Sequence, residues 1–154
     1  MAYQYPGKCL YSLQVVGESF HNKEIKKVIS LHPNLQAMAI VKKELLNEHD
    51  DKAVVVLIDG LQVGHLSRGD ARTFHNFLSS QSLNEYSEFY VPAKINISKI
   101  DKNNPGISLD FADVLDKAYW NELFSNCSNI TLPKIITHKS TGCLGALVLF
   151  LIRQ

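Results

Sequence analysis

The stretch AVVVLIDGLQVGHL, residues 53–66, decides how this chain folds. Two runs of β-forming residues flank the dipeptide Asp59-Gly60. An Asp-Gly pair between two such runs is the strongest short-range signal for a β-hairpin, because a tight two-residue turn needs positive φ angles that glycine and aspartate accept at low cost. The sequence therefore predicts two antiparallel strands joined by this turn.

The residues that follow the hairpin predict a helix from about Arg68 to Ser79. Ser67 and Asp70 have the S-x-x-D spacing, which is close to a capping box at a helix start. Three apolar side chains then share one helical face: Ala71, Phe74 and Leu78. We expect this face to pack against the hairpin.

Further elements are predicted on both sides of this unit. Alternating or β-branched runs predict strands over residues 9–16, 36–46, 88–97 and 107–111. The last two strands flank the polar loop SKIDKNNPG, which is typical of a second hairpin. Helices are predicted from Asn22, as N-cap, to the residue before Pro33, and over residues 113–125.

Length and composition indicate one globular domain with an appendage. The chain has 154 residues, of which 45% are hydrophobic and 20% charged. Its net charge of +1 gives no global sign of a nucleic-acid partner. The amino terminus has no basic leader followed by an apolar stretch, so we expect a cytoplasmic protein, or a nuclear one in a eukaryote. Three cysteines without C-x-x-C spacing are expected to be reduced core residues: Cys9, Cys127 and Cys143.

Motifs of the common enzyme classes are absent from the sequence. It contains no phosphate-binding loop, no dinucleotide-binding glycine pattern, no H-E-x-x-H and no G-x-S-x-G. We therefore expect a protein that is not an enzyme and that needs neither a cofactor nor a metal. A metal-dependent hydrolase built from His49, Asp50 and His65 is the least favoured alternative.

The chain closes on ten consecutive apolar residues, CLGALVLFLI, at positions 143–152. A helix needs about 20 apolar residues to cross a bilayer, so this tail is too short for a membrane span. We expect a buried strand or a homodimer contact there, and no membrane partner.

Two segments together resemble the HIRAN domain family: VVGESFHN at 15–22 and LLNEHDDKAVVVLIDGLQVGHLSRGDA at 45–71. That family has a glycine and an aromatic after its first strand, then an N-x-[aromatic]-D-x-[NK]-A turn, a hairpin ending V-G-[HY]-[LV], and a helix with an early alanine. The matching residues are Gly17, Phe20, Asn47, His49, Asp50, Lys52, Ala53, Val63, Gly64, His65, Leu66 and Ala71. The downstream VPAKI and GISLDF are similar to the closing strands of bacterial members.

The resemblance implies an α+β, mostly β fold: a small, modified OB-like β-barrel of about six strands with two or three helices, over residues 9–113. Residues 114–154 would form a C-terminal helix and the apolar tail, packed on the barrel or used for association. In helicase-linked members the domain captures the 3′ end of single-stranded DNA. The resemblance thus implies a non-catalytic nucleic-acid-binding module in DNA repair or processing, acting alone or beside a helicase or nuclease.

A pocket for a 3′ end needs a flat ring to stack on the last base and an acceptor for the free hydroxyl. His49 and Asp50 could supply these, and Arg68 could hold a phosphate as a planar fork. Phe111 is similar to the second aromatic of the family's pocket. The nucleic-acid-binding residues expected on these grounds are Phe20, Lys42, Lys43, Asn47, His49, Asp50, His65, Arg68 and Phe111.

Local charge leaves several alternatives open. Five lysines against one glutamate give residues 20–43 a net +4, while five acids against one lysine give residues 44–59 a net −4. These segments are either a phosphate track beside an acidic pocket or two solvated faces. Glu18 stands where DNA-binding members commonly carry arginine, and Glu48-His49 replaces proline and tyrosine. The partner could be DNA or RNA, and a protein-interaction adaptor on the same barrel is the alternative function.

Overall fold

Seven strands and three helical segments make up the part of the chain that the structure, a computed structural model, describes: residues 2–5, 7–97 and 105–111. The strands are β1 (Ala2–Gln4), β2 (Leu13–Val16), β3 (Gln36–Lys43), β4 (Val54–Ile58), β5 (Leu61–Leu66), β6 (Glu88–Asn96) and β7 (Gly106–Leu109). The helices are a 3₁₀ helix (Glu18–His21), α1 (Asn22–Leu31) and α2 (Arg68–Ser80). Mostly β content with added helices confirms the predicted fold class.

Six of the strands close into an antiparallel barrel in the order β6-β3-β4-β5-β2-β7, with β7 returning to β6. Strand β6 makes this closure possible because it is long. One of its edges pairs with β3, while the other pairs with β7 through Ala93–Asn96. The remaining part of that edge, Glu88–Tyr90, takes the parallel strand β1. The result is the small OB-like barrel that the resemblance implies.

The central hairpin forms as predicted, with Asp59 and Gly60 at φ angles of 51° and 76°. Gly64 on β5 is required for a different reason. A Cβ atom there would lie 2.5 Å from both Val15 Cγ1 and the Val16 carbonyl oxygen, because the paired strand β2 lies very close to Gly64. The glycine of the V-G-H motif thus permits one of the contacts that close the barrel.

Helix α2 begins as the S-x-x-D spacing predicts: the Ser67 hydroxyl oxygen accepts a hydrogen bond from the Asp70 backbone N–H at 3.2 Å. Its apolar face reaches the core, where the Phe74 and Phe89 rings are 5.4 Å apart. Helix α1 buries Ile25 and Val28 and packs on β5. The predicted N-cap of α1 was wrong by one residue, since Asn22 is already helical and its side-chain amide donates to the Ser19 carbonyl.

The strand predicted from residue 9 begins only at Leu13. The buried Asp110 carboxylate accepts hydrogen bonds from the backbone N–H groups of Cys9, Leu10 and Tyr11, so these groups do not join a strand ladder. Cys9 is exposed here, and its prediction as a core residue was wrong. Strand β1, which precedes this segment, was not predicted.

Part of the prediction lies outside the described residues: the helix over 113–125, the rest of the segment 114–154 with its apolar tail, Cys127 and Cys143. Within the described ranges, none of the helices has the length and apolar character needed to cross a bilayer.

Candidate nucleic-acid interface

One end of the barrel brings together most of the predicted site residues. We call it the loop end: it comprises the loop 44–53 between β3 and β4, the 3₁₀ helix, and His65 near the end of β5. The Asp59-Gly60 turn lies at the other end of β4. Strand β4 rises about 3.4 Å per residue from Val54 to Ile58, so the turn is about 14 Å from the loop end. There the His32 Nε2 and Asp59 Oδ2 atoms are 2.6 Å apart, which ties the end of α1 to the hairpin.

Asn47 organises the loop with both ends of its side-chain amide. Its oxygen accepts hydrogen bonds from the backbone N–H groups of His49 and Asp50, both at 2.9 Å. Its nitrogen donates to the Glu44 carboxylate at 2.7 Å. The same type of local side-chain-to-backbone bonding makes Asn and Asp frequent in tight turns. Asn47 therefore fixes the backbone from which the two candidate pocket residues project.

Asp50 has a structural role in this loop. One carboxylate oxygen, Oδ1, accepts from the Lys52 backbone N–H at 2.9 Å, and the Asp50 carbonyl accepts from the Ala53 N–H at 3.1 Å. Within the described part of the chain, the second carboxylate oxygen has no hydrogen-bond partner. The neighbouring His49 is exposed. An exposed imidazole ring and, on the next residue, a partly exposed carboxylate thus occupy adjacent positions in the loop.

Helix α2 contacts this loop, since the His75 ring nitrogen Nε2 lies 3.0 Å from the Lys52 carbonyl oxygen. The loop also closes on itself: the Glu44 N–H donates to the Ala53 carbonyl at 2.9 Å. These contacts give the loop a defined shape in spite of its exposure.

His65 contacts Glu44, with 2.8 Å between its Nε2 and the Glu44 Oε2. Burial of the Glu44 carboxylate alone would raise its pKa. The hydrogen bonds from Asn47 and His65, and the charges of His65 and His21, outweigh burial and hold the pKa of Glu44 below its ordinary value of 4.5. Glu44 therefore stays ionised, and His65 is a support for the loop through Glu44 and Asn47.

The 3₁₀ helix places a second aromatic at the loop end. Phe20 is 87% exposed, and its neighbour His21 has its ring centroid 6.4 Å from that of His65. Leu46, on the loop itself, is 92% exposed. Large apolar side chains so open to water are the kind of surface feature that marks an interaction site when they cluster.

The three predicted cationic residues, Lys42, Lys43 and Arg68, differ in whether they form ion pairs. Lys42 Nζ donates to Glu88, at the start of β6, at 2.8 Å, and Lys43 Nζ donates to Glu85, which precedes β6, at 3.3 Å. Both lysines are therefore engaged in ion pairs. Arg68 is exposed in the first turn of α2, and no ion pair within the described ranges involves it. Of these three cations, Arg68 is therefore the one that could bind an anion without losing an ion-pair partner within the described residues.

Phe111 is not at the surface: it is 1% exposed, and its ring lies 5.5 Å from that of Tyr5 and 6.4 Å from that of Phe74. The ring of Phe111 is thus part of the core in this structure and cannot stack on a base. Phe111 follows β7, and the preceding residue, Asp110, is also buried, with its backbone N–H donating to the Pro92 carbonyl at 2.8 Å.

The Glu18 carboxylate contacts the start of β7, where it accepts a 3.4 Å hydrogen bond from the Ile107 backbone N–H. Glu18 lines a shallow recess of about 180 Å³ together with Gly17, Ser19, Pro105 and Gly106. The Glu18 carboxylate therefore has one hydrogen-bond donor on the barrel.

Two residues of the loop end, Glu44 and His21, were not predicted. Their partner His65 is 21 residues from Glu44 in sequence, so no local spacing reveals the contact. For Glu44, the one local indication was its position between the end of β3 and the turn that contains Asn47. Over the described residues, no group of three or more His, Cys, Asp or Glu side chains could hold a metal ion.

Comparison of the chain with models of known protein families, with curated proteins and with solved structures finds no match.

Proposed function

We propose that this chain is a HIRAN-type, non-catalytic nucleic-acid-binding module that captures the 3′ end of single-stranded DNA at the loop end of the barrel, in DNA repair or processing. The observation that carries the proposal is the paired presentation of His49 and Asp50. The Asn47 side-chain oxygen accepts hydrogen bonds from the backbone N–H groups of both residues. The His49 ring is exposed, and one oxygen of the Asp50 carboxylate, on the next residue, has no hydrogen-bond partner within the described residues.

This pair has the chemistry that distinguishes a chain end from an internal nucleotide. A carboxylate accepts a hydrogen bond from a free 3′-hydroxyl, whereas it repels the phosphate that continues an internal strand. An exposed ring can stack on the last base without regard to its identity. Arg68 is the candidate for the penultimate phosphate. Phe111 is no part of this proposal, because its ring lies in the core.

Titration of a labelled single strand against the protein at low salt tests the proposal. The same sequence is offered with a 3′-hydroxyl, with a 3′-phosphate and as a covalently closed circle, as DNA and as RNA. We expect the 3′-hydroxyl strand to bind most tightly, by roughly tenfold for one buried charge-assisted hydrogen bond. Equal affinity for the linear and circular strands would contradict end capture.

A protein-interaction adaptor is the second candidate, and the exposure of Leu46 and Phe20 favours it. These side chains would suit an apolar partner surface as well as bases. The two functions separate by salt, since nucleic-acid affinity falls steeply as salt rises, whereas binding through apolar side chains does not. An affinity for single strands that is independent of salt would therefore favour the adaptor.

A further inference from the structure

We infer that a bound strand leaves the loop end along the outer face of α1, over Phe20 and three lysines of that helix, and not along Lys42 and Lys43. This inference rests on the proposed function for the nature of the ligand. It adds an interaction surface, which we call the α1 track: Phe20, Lys23, Lys26 and Lys27.

The three lysines of the track share one exposed face. Lys23, Lys26 and Lys27 stand at spacings of three and four residues, and all are exposed, while Ile25 and Val28 face the core. No ion pair within the described ranges uses any of them. The helix has a single acidic residue, Glu24, so its outer face keeps a net positive charge.

The three lysines do not stabilise one another on α1. Like charges at spacings of three and four residues repel each other, and Lys23, in the first turn, opposes the helix dipole. No basic residue lies in the last turn, where one would be favourable. A polyanion lying along the helix would relieve both penalties. The charge pattern is therefore better explained by a phosphate backbone than by folding.

Position connects the track with the proposed pocket. Phe20 presents its exposed ring just before α1 begins, next to His21, which lies against His65 at the loop end. Helix α1 then runs along β5 to the Asp59-Gly60 turn, where His32 contacts Asp59. Beyond the contact proposed for Arg68, a strand held at its 3′ end by the loop 44–53 would meet Phe20 and then the lysines.

Lys42 and Lys43 provide the contrast. Both already pair with carboxylates, Glu88 and Glu85, so a phosphate would compete with an existing partner. They are also a matched control for a pair of track lysines, because replacing two lysines on either surface changes the total charge by the same amount.

The experiment compares K23Q/K27Q with K42Q/K43Q in the full chain, using 3′-hydroxyl strands of three and twelve nucleotides over a range of salt. We expect the α1 variant to reduce the slope of log affinity against log salt for the long strand by roughly 1.4, at about 0.7 for each phosphate that is no longer neutralised. Its affinity for the trinucleotide should change about twofold or less. F20A should weaken binding of the long strand by roughly five- to a hundredfold, because the ring no longer stacks on a base.

A slope that falls in K42Q/K43Q and stays unchanged in K23Q/K27Q would overturn the α1 track while leaving end capture intact. Equal binding of linear and circular strands by the unmodified protein would instead overturn end capture, and the slope change on α1 would then still support the track. If no single strand binds the unmodified protein, both are wrong.

Discussion

Replacing Asp50 by asparagine and by alanine separates its two roles in the loop. In the structure, Oδ1 accepts from the Lys52 N–H, and the other carboxylate oxygen has no partner within the described residues. Asparagine keeps a neutral oxygen for the turn and removes only the charge. Alanine removes both the turn acceptor and the proposed acceptor for a 3′-hydroxyl.

The expected magnitudes follow from these contacts. For Asp50→Ala, loss of the turn hydrogen bond should lower the free energy of unfolding by about 0.5–1.5 kcal/mol. Its affinity for 3′-hydroxyl strands should fall by about 1–3 kcal/mol, the cost of leaving a buried hydrogen-bond donor without its acceptor. Asp50→Asn should keep the stability within about 0.5 kcal/mol, bind 3′-hydroxyl strands somewhat more weakly, and lose most of the preference over 3′-phosphate strands.

Denaturant unfolding and fluorescence anisotropy with the two strand types measure these quantities. His49→Ala is the control, because loss of stacking should weaken 3′-hydroxyl and 3′-phosphate strands alike. If Asp50→Asn keeps the preference of the unmodified protein, charge at Asp50 does not select the end. If Asp50→Ala changes stability alone, this residue serves only the turn.

Three further predictions concern the barrel and its loop end. Gly64→Ala should cost about 2–4 kcal/mol in urea unfolding, because its Cβ would clash with β2. Gly60→Ala should cost only about 1–2 kcal/mol from its positive φ, since a Cβ there meets nothing within 4 Å, and equal losses would refute the close approach of β2. Because the pKa of Glu44 is lowered on folding, its stabilising effect should be complete above its ordinary pKa of 4.5 and disappear as pH falls through the lower folded value. The stability gap between the unmodified protein and Glu44→Gln should therefore shrink on acidification below pH 4.5, and a gap that widens there would contradict the assignment.

Local signals were sufficient for the centre of the fold. The Asp59-Gly60 turn and the Ser67 cap depend on residues within a few positions, so sequence alone specified the hairpin and the start of α2. The long strand β3 was also predicted, although it ends at Lys43 and not at Leu46.

Contacts between distant residues could not be predicted. Strand β1 has three residues and exists because the free half of the β6 edge receives it. Asp110 binds backbone groups about a hundred residues earlier, which shortens β2 and exposes Cys9. For Phe111, no local pattern distinguishes an inward from an outward side chain just after β7, and the structure places it inside.

For the candidate site, the resemblance predicted residues of the loop 44–53 but not the contacts that hold them. Asn47, His49 and Asp50 were predicted from the turn pattern of the HIRAN family, and their role in binding stays a prediction. The support from Glu44 and His65, and the engagement of Lys42 and Lys43 by glutamates, follow from the register of β3 with β4 and β6 and of β4 with β5, which no spacing in the sequence reveals.

The central claim is tested most directly by locating where a strand end binds on the barrel. Backbone amide chemical shifts of the isotope-labelled full chain, followed during titration with a short 3′-hydroxyl single strand, map that position. We predict the largest shifts in the loop 44–53 and the 3₁₀ helix, with little change at His32 and the Asp59-Gly60 turn at the opposite end. Chemical-shift changes confined to His32 and the Asp59-Gly60 turn would contradict binding at the loop end. An absence of shift changes in the loop 44–53 at a saturating strand concentration would contradict it as well.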